Sequence, residues 1–228
     1  ALALAEAGAD VAGLYQNYYA ETQARGEALG RRFLPLHCDL PRATVAELRD
    51  AVDQVVRGMG RLDILVHNAG PTRRAPALEF DERDWDLVIQ VNLKALFFLS
   101  QAAARVMVEQ GGGKIINIAS MLSYQGGILI PAYTAAKSGV AGLTRALANE
   151  WAARGVNVNA IAPGYMATDN TAPLRADPVR NEAILARIPD GDWGEANELQ
   201  GAAVYLASDA SRYVHGRLLA VDGGWLAR

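Results

Sequence analysis

The sequence predicts an α/β fold, a doubly wound parallel sheet in a single domain spanning residues 1–228. Three observations predict it. Short apolar segments alternate with longer segments of helical periodicity along the whole chain. The short segments are continuous apolar runs rather than alternating ones, as strands buried on both faces require. Apolar residues make up 51% of the 228, enough for one sizeable core.

Taken in order, residues 1–7 are helical in composition, and Gly8 is placed as a C-cap. Asp10 to Tyr15 reads as a short buried strand, Glu21 to Leu29 as a helix closed by Gly30, and Phe33 to His37 as the next strand. A helix is expected from Pro41 to about Arg57, because Val45, Leu48, Val52, Val55 and Val56 recur at helical spacing. Leu62 to His67 is a strand, and Asp81 starts a long helix reaching about Glu109. After the break at Gly111 to Gly113, Lys114 to Ile118 is a buried strand. A helix from about Tyr133 to Ala153 and a strand from Val156 to Ile161 follow, the latter ending at Pro163 and Gly164. Residues 165–194 read as irregular and form the expected substrate lid, with Trp193 near its end as either a lid or an interface residue. A helix from Glu195 to Ala207 and a strand from Leu218 to Val221 complete the pattern.

Right-handed crossovers place every strand's C-terminal end on one edge, where such sheets bind ligands. Tyr15 to Asn17, Asp39, Asn68 to Gly70, Ser120 and Pro163-Gly164 fall there.

Composition excludes several classes. The formal net charge is -3 and the basic residues are scattered, so no nucleic-acid partner is expected. One cysteine makes neither an intrachain disulfide nor a thiolate zinc site, and Cys38 reads as a small buried residue. His37, His67 and His215 lie far apart without ligand spacing, so no metal is expected. No run of about 18 apolar residues is present, so no membrane span is expected. The opening segment lacks a basic flank and carries Glu6, unlike a secretory signal, and a cytoplasmic location is the expectation.

The chemistry-bearing candidate is Tyr133 with Lys137. Four residues apart on a helix, the two stand one above the other. By itself the spacing also describes a surface tyrosine beside a lysine stem. Ser120 lies at the end of a strand, thirteen residues before Tyr133, and Asn92 lies in the long helix. Alone, Ser120 reads as a hydroxyl satisfying loop backbone and Asn92 as a packing residue. Asn68-Ala69-Gly70, Asp39-Leu40, and Pro163-Gly164 with Met166 and Thr168 all follow strands.

As an ordered set, these residues resemble the short-chain dehydrogenase/reductase family over residues 1–228. The resemblance implies a Rossmann-like fold and an NAD(P)-dependent oxidoreductase. Tyr133 would be the general acid/base, its phenol acidified by the Lys137 ammonium. Ser120 would orient the substrate oxygen, Lys137 would also hold ribose hydroxyls, and Asn92 would hold a proton-relay water. Asp39 and Leu40 would meet the adenine, Asn68 to Gly70 the middle of the cofactor, and Pro163, Gly164, Met166 and Thr168 the carboxamide end. His67 stands where the family commonly has Asn, which puts the local hydrogen bonding in question.

Further stretches resemble the sugar-acid dehydrogenases of that family: Gly30 to Leu34, Ala77 to Phe80, Asn117 to Leu122, Arg187 to Pro189 and Val221 to Arg228. Arg74, beside Arg73, would bind a substrate carboxylate or be a solvated surface residue, and Gln125 would face substrate. Leu14 to Asn17 carries neither the carboxylate typical of NAD sites nor the cation typical of NADP sites, and the missing cation favours NAD. A homotetramer acting on a small sugar acid is the expected assembly. The family begins with a strand and a glycine-rich loop. Residues 1–7 resemble only the back half of the helix that follows, so the first strand and that loop are expected to be lacking from this sequence, with two strands left without a partner between them.

Overall fold

The computed structural model describes residues 1–17 and 19–227. Six strands and nine α-helices alternate among them, and every strand pairing is parallel. β1 (Val11–Tyr15) pairs with β2 (Phe33–His37) in a two-stranded sheet. β3 (Ile64–His67), β4 (Gly113–Ile118), β5 (Val156–Pro163) and β6 (Leu218–Val221) form a four-stranded sheet in that order. The parallel arrangement thus forms two sheets instead of one continuous sheet, and neither β1 nor β3 has a second ladder partner among the described residues.

β4 shows why the fold is doubly wound. Successive side chains on a strand point to opposite faces. Ile115 packs with Met107 of α5 (Leu96–Gln110) and Leu147 of α6 (Pro131–Trp151). Its neighbour Ile116 packs with Leu206 of α9 (Gln200–Ala207) on the other side. Both isoleucines are fully buried, so the run is apolar throughout.

Several helices depart from the sequence pattern. α1 (Leu2–Glu6) and α2 (Ala20–Ala28) fall where expected. α3 begins at Val45, not Pro41, and ends at Met59. Thr44 caps it reciprocally with Glu47: Glu47 N donates to Thr44 Oγ1 at 3.3 Å, and Thr44 N to the Glu47 carboxylate at 2.8 Å. Pro41 sits in the preceding turn, where Ala43 N donates to Asp39 O. The long helix is three pieces: α4 (Glu82–Ile89), a π-helical stretch (Gln90–Ala95) and α5. By length and composition the stretch Glu82–Gln110 could cross a membrane, but its most apolar window is 56% buried, as in a core helix. Residues 165–194 are not irregular throughout. α7 (Ala172–Ala176) and α8 (Pro178–Leu185) lie inside, with Pro173 and Pro178 in their first turns, where proline's missing N–H costs nothing. Asp177 caps α8 by accepting from Val179 N and Arg180 N. The ends of the segment meet where Ala167 N donates to Gly194 O and Gly194 N to Tyr165 O.

At the strand edge, Gly164 follows β5 and lies against Met121, the residue after Ser120. A Cβ at position 164 would overlap the Met121 side chain. Gly164→Ala is expected to cost about 1–3 kcal/mol by overpacking, read by urea denaturation. Unchanged stability would show that Met121 yields freely.

Candidate active site

The C-terminal end of β4 delivers Ser120, and the first turns of α6 deliver Tyr133 and Lys137. Ser120 Oγ accepts from Leu122 N at 3.2 Å, which orients it, and it shares a hydrogen bond with the Tyr133 phenol. The Lys137 ammonium lies 5.4 Å from the centre of the Tyr133 ring and donates to Ile118 O at 2.6 Å. Lys137 is 2% exposed.

Asn92 closes the group from the π-helical stretch. Its Nδ2 donates to Val88 O, four residues back, and to Pro71 O, each at 3.0 Å. Its Oδ1 is buried and has no protein partner. Gly70 sits between Asn92 and Lys137: a Cβ there would lie 3.0 Å from Asn92 Oδ1 and 3.4 Å from Lys137 Nζ. Only glycine leaves this space open. Ser120, Tyr133, Lys137, Asn92 and Gly70, scattered over 68 positions, therefore converge, with Asn68 and Ala69 leading into the same turn.

Burial dominates the electrostatics. It lowers Lys137 to about 8. It raises the Tyr133 phenol above its ordinary value, opposed by the Ser120 hydrogen bond. The acidified phenol expected from the sequence is thus reversed in the chain alone, because desolvation of the phenolate outweighs its neighbours.

The other expected residues form a rim. Asp39 follows β2, accepts from Gln16 Nε2 at 2.9 Å and pairs loosely with Arg42 at 3.9 Å. Gln90, first residue of the π-helical stretch, donates to Leu40 O at 3.4 Å and Ala43 O at 3.0 Å, linking the β2 end to the element that carries Asn92. Pro163 ends β5. Met166 bridges to Gly194, and Thr168 N donates to Thr171 Oγ1. Arg73 is committed to Asp84 at 3.0 Å, whereas Arg74 reaches Asn170 O at 3.5 Å. Gln125 Oε1 accepts from Arg187 and from Trp225 Nε1, and the Arg187 guanidinium stacks 4.0 Å from the Trp225 ring centre. The sequence pattern does not bring this last cluster together, although it singles out Gln125 and the stretches that hold Arg187 and Trp225.

The family model described as Enoyl-(Acyl carrier protein) reductase matches residues 1–226. Over its full length the chain is 57% identical to 2-dehydro-3-deoxy-D-gluconate 5-dehydrogenase of Escherichia coli, covering 90% of that protein. This chain belongs to the short-chain dehydrogenase/reductase family. It is also 53% identical to the Bacillus subtilis protein of the same name, again over the whole chain and 89% of the relative. Among solved structures it is similar to a gluconate 5-dehydrogenase from Burkholderia cenocepacia in complex with NADP and tartrate. The TM-score is 0.94 and the identity 38%, over 99% of this chain and 89% of that one.

The residues present fit a short-chain dehydrogenase's nicotinamide dinucleotide. An ammonium carries three donors, and among the described residues Lys137 spends one on protein. Asn92 Oδ1 is an unfilled acceptor beside it, and Gly70 removes the side chain that would block both.

His67 answers the question raised by its departure from the family pattern. Its Nε2 lies 2.8 Å from Ser100 Oγ, which is fully buried on α5. Burial, with the Lys137 charge second, depresses the imidazole to about 3, so it is neutral in the folded state. An unfolded chain binds a proton near pH 6.5 that the folded one refuses. Stability is unaffected above that pH and falls as pH drops from 6.5 toward 3, by at most about 1.4 kcal/mol per unit. In His67→Asn, the melting temperature is expected to depend less steeply on pH between 6.5 and 4. An equally steep dependence would contradict the assignment.

Proposed function

We propose that the protein is an NAD-dependent oxidoreductase of a sugar acid, acting as a 2-dehydro-3-deoxy-D-gluconate 5-dehydrogenase. The observation that carries this reading is the convergence of Ser120, Tyr133, Lys137 and Asn92 in one group, with Lys137 and Asn92 buried and Ser120 and Tyr133 partly so. The names of the Escherichia coli and Bacillus subtilis relatives supply the substrate.

Bound nicotinamide supplies the hydride acceptor for oxidation and the donor for reduction. Tyr133 takes the proton of the reacting hydroxyl, or returns it to the carbonyl oxygen. Ser120 already shares a hydrogen bond with the phenol and holds the same substrate oxygen. The Lys137 ammonium stabilises the phenolate, opposing the burial that resists it, and its free donors take ribose hydroxyls. Asn92 Oδ1 accepts from a water that relays the proton from Lys137. Asp39 and Leu40 would hold the adenine, Asn68 to Gly70 the middle of the dinucleotide, and Pro163, Gly164, Met166 and Thr168 the carboxamide. Arg74 pairs with the substrate carboxylate, Gln125 lies beside the sugar, and residues 165–194 cover it.

NAD is preferred to NADP on local charge. Gln16 and Asn17, after β1, carry no cation, and Gln16 is bonded to the Asp39 carboxylate. A 2′-phosphate brought to that edge would meet the Asp39 carboxylate, which Arg42 offsets only loosely at 3.9 Å. The Burkholderia relative's complex contains NADP, which makes the preference a specific claim about this chain. A homotetramer is supported by a largely apolar groove between α6 and the run from the end of α4 to the start of α5, lined by Ile89, Leu93, Phe97, Phe98 and Leu143. Its place is in the cytoplasm, in sugar-acid breakdown of the kind that follows pectin cleavage.

Tyr133→Phe is expected to lower turnover by at least a thousandfold while NADH affinity, read by fluorescence titration, stays within about threefold. Retained turnover overturns the acid/base assignment. NADH is expected to bind at least tenfold more tightly than NADPH, and equal or reversed affinities overturn the NAD preference.

A further inference from the structure

Among the described residues, Leu129 is the one non-glycine with positive φ, at 65°. A left-handed backbone crowds a Cβ against the neighbouring carbonyl, so the surroundings must hold this residue there. Its side chain does not do so, being 47% exposed. The backbone does. Leu129 O accepts from Ala75 N at 3.0 Å. On its C-terminal side, Ile130 O accepts from Thr134 N and Pro131 opens α6, which fixes the chain direction. On its N-terminal side Gly127 lies so close to Ile130 that a Cβ would stand 2.7 Å from its Cδ1.

The bond to Ala75 fastens the loop that carries Arg74. That loop is held at its start by Asn92 Nδ2 on Pro71 O and at its end by Leu129 O on Ala75 N. Between the two anchors stand Thr72, Arg73 and Arg74. One anchor belongs to the catalytic group, and the other lies four residues before Tyr133. Beside the Asn92 anchor and the Arg73–Asp84 pair, the strained turn at Leu129 thus fixes the end of the Arg74 loop that faces the helix of the phenol.

We propose that Leu129 is a positioning residue for the substrate carboxylate. Its left-handed backbone aims its carbonyl at Ala75 and fixes the Arg74 loop at the distance a sugar acid spans from Tyr133. The proposal rests on the reading of Arg74 as the carboxylate partner. What matters at position 129 is the backbone conformation, not the apolar side chain.

The test compares Leu129→Val, Leu129→Gly and Leu129→Asn. Valine keeps apolar character but resists positive φ, whereas glycine and asparagine tolerate it. Two quantities are measured: hydrogen exchange of the Ala75 amide, and KM and kcat for the sugar acid. Leu129→Val is expected to speed Ala75 exchange at least tenfold and raise KM three- to tenfold with kcat within twofold. The glycine and asparagine variants are expected to keep both within twofold of the parent. A Leu129→Val enzyme with parental KM overturns the proposal, as does a Leu129→Gly enzyme as impaired as the valine variant. Arg74→Ala is run alongside. An unchanged KM there refutes the carboxylate reading of Arg74, while Ala75 exchange still reports separately whether Leu129 holds the loop.

Discussion

The Lys137 ammonium is buried and donates to the Ile118 carbonyl at 2.6 Å. A charge in such surroundings is costly unless dipoles receive it, so this bond pins α6 to the end of β4. Tyr133 stands one turn earlier on the same helix face, and Ser120 follows β4 by two residues. Pinning the helix therefore sets the phenol against the serine hydroxyl. The same burial that makes the ammonium expensive lowers it to about 8 and raises the phenol. The pair is short of compensating charge until further groups enter the space that Gly70 leaves beside Lys137.

Around this pair the fold supplies support from distant elements. The π-helical stretch turns Asn92 so that its amide donates to Val88 and Pro71 while its oxygen is left for another donor. Gln90, two residues earlier, grips the turn after β2. One irregular stretch of helix thereby links the β2 end to the catalytic group. His67 occupies the position beneath with a neutral imidazole bonded to Ser100, and adds no charge to a site that already holds a buried cation.

Much of this was legible in the sequence, for physical reasons. Continuous apolar runs marked the strands because both faces are buried, and β2 was read to the residue. The Tyr133–Lys137 spacing was legible because helical periodicity fixes which side chains stack. α3 starts at Val45 and not at Pro41 because the capping box of Thr44 and Glu47, not the proline, sets its first turn. α7 and α8 were hidden because their prolines read as breakers, although proline at a helix start costs nothing. The π-helical stretch has no signature in composition, so Asn92 could be named but its geometry could not. The Arg187–Trp225–Gln125 cluster joins residues up to 100 positions apart, and local pattern does not report such contacts. The state of the phenol was misjudged because spacing shows a nearby cation but not how deeply both groups are buried.

In the working enzyme the buried Lys137 ammonium makes the partly buried Tyr133 phenol titratable. The most direct test is the pH dependence of kcat/KM for alcohol oxidation, compared between the parent enzyme and Lys137→Met. The pKa of the acid limb is expected to rise by at least one unit when the ammonium is removed, because only the Ser120 hydrogen bond then opposes burial at Tyr133. An acid limb at the same pH in both enzymes would contradict it.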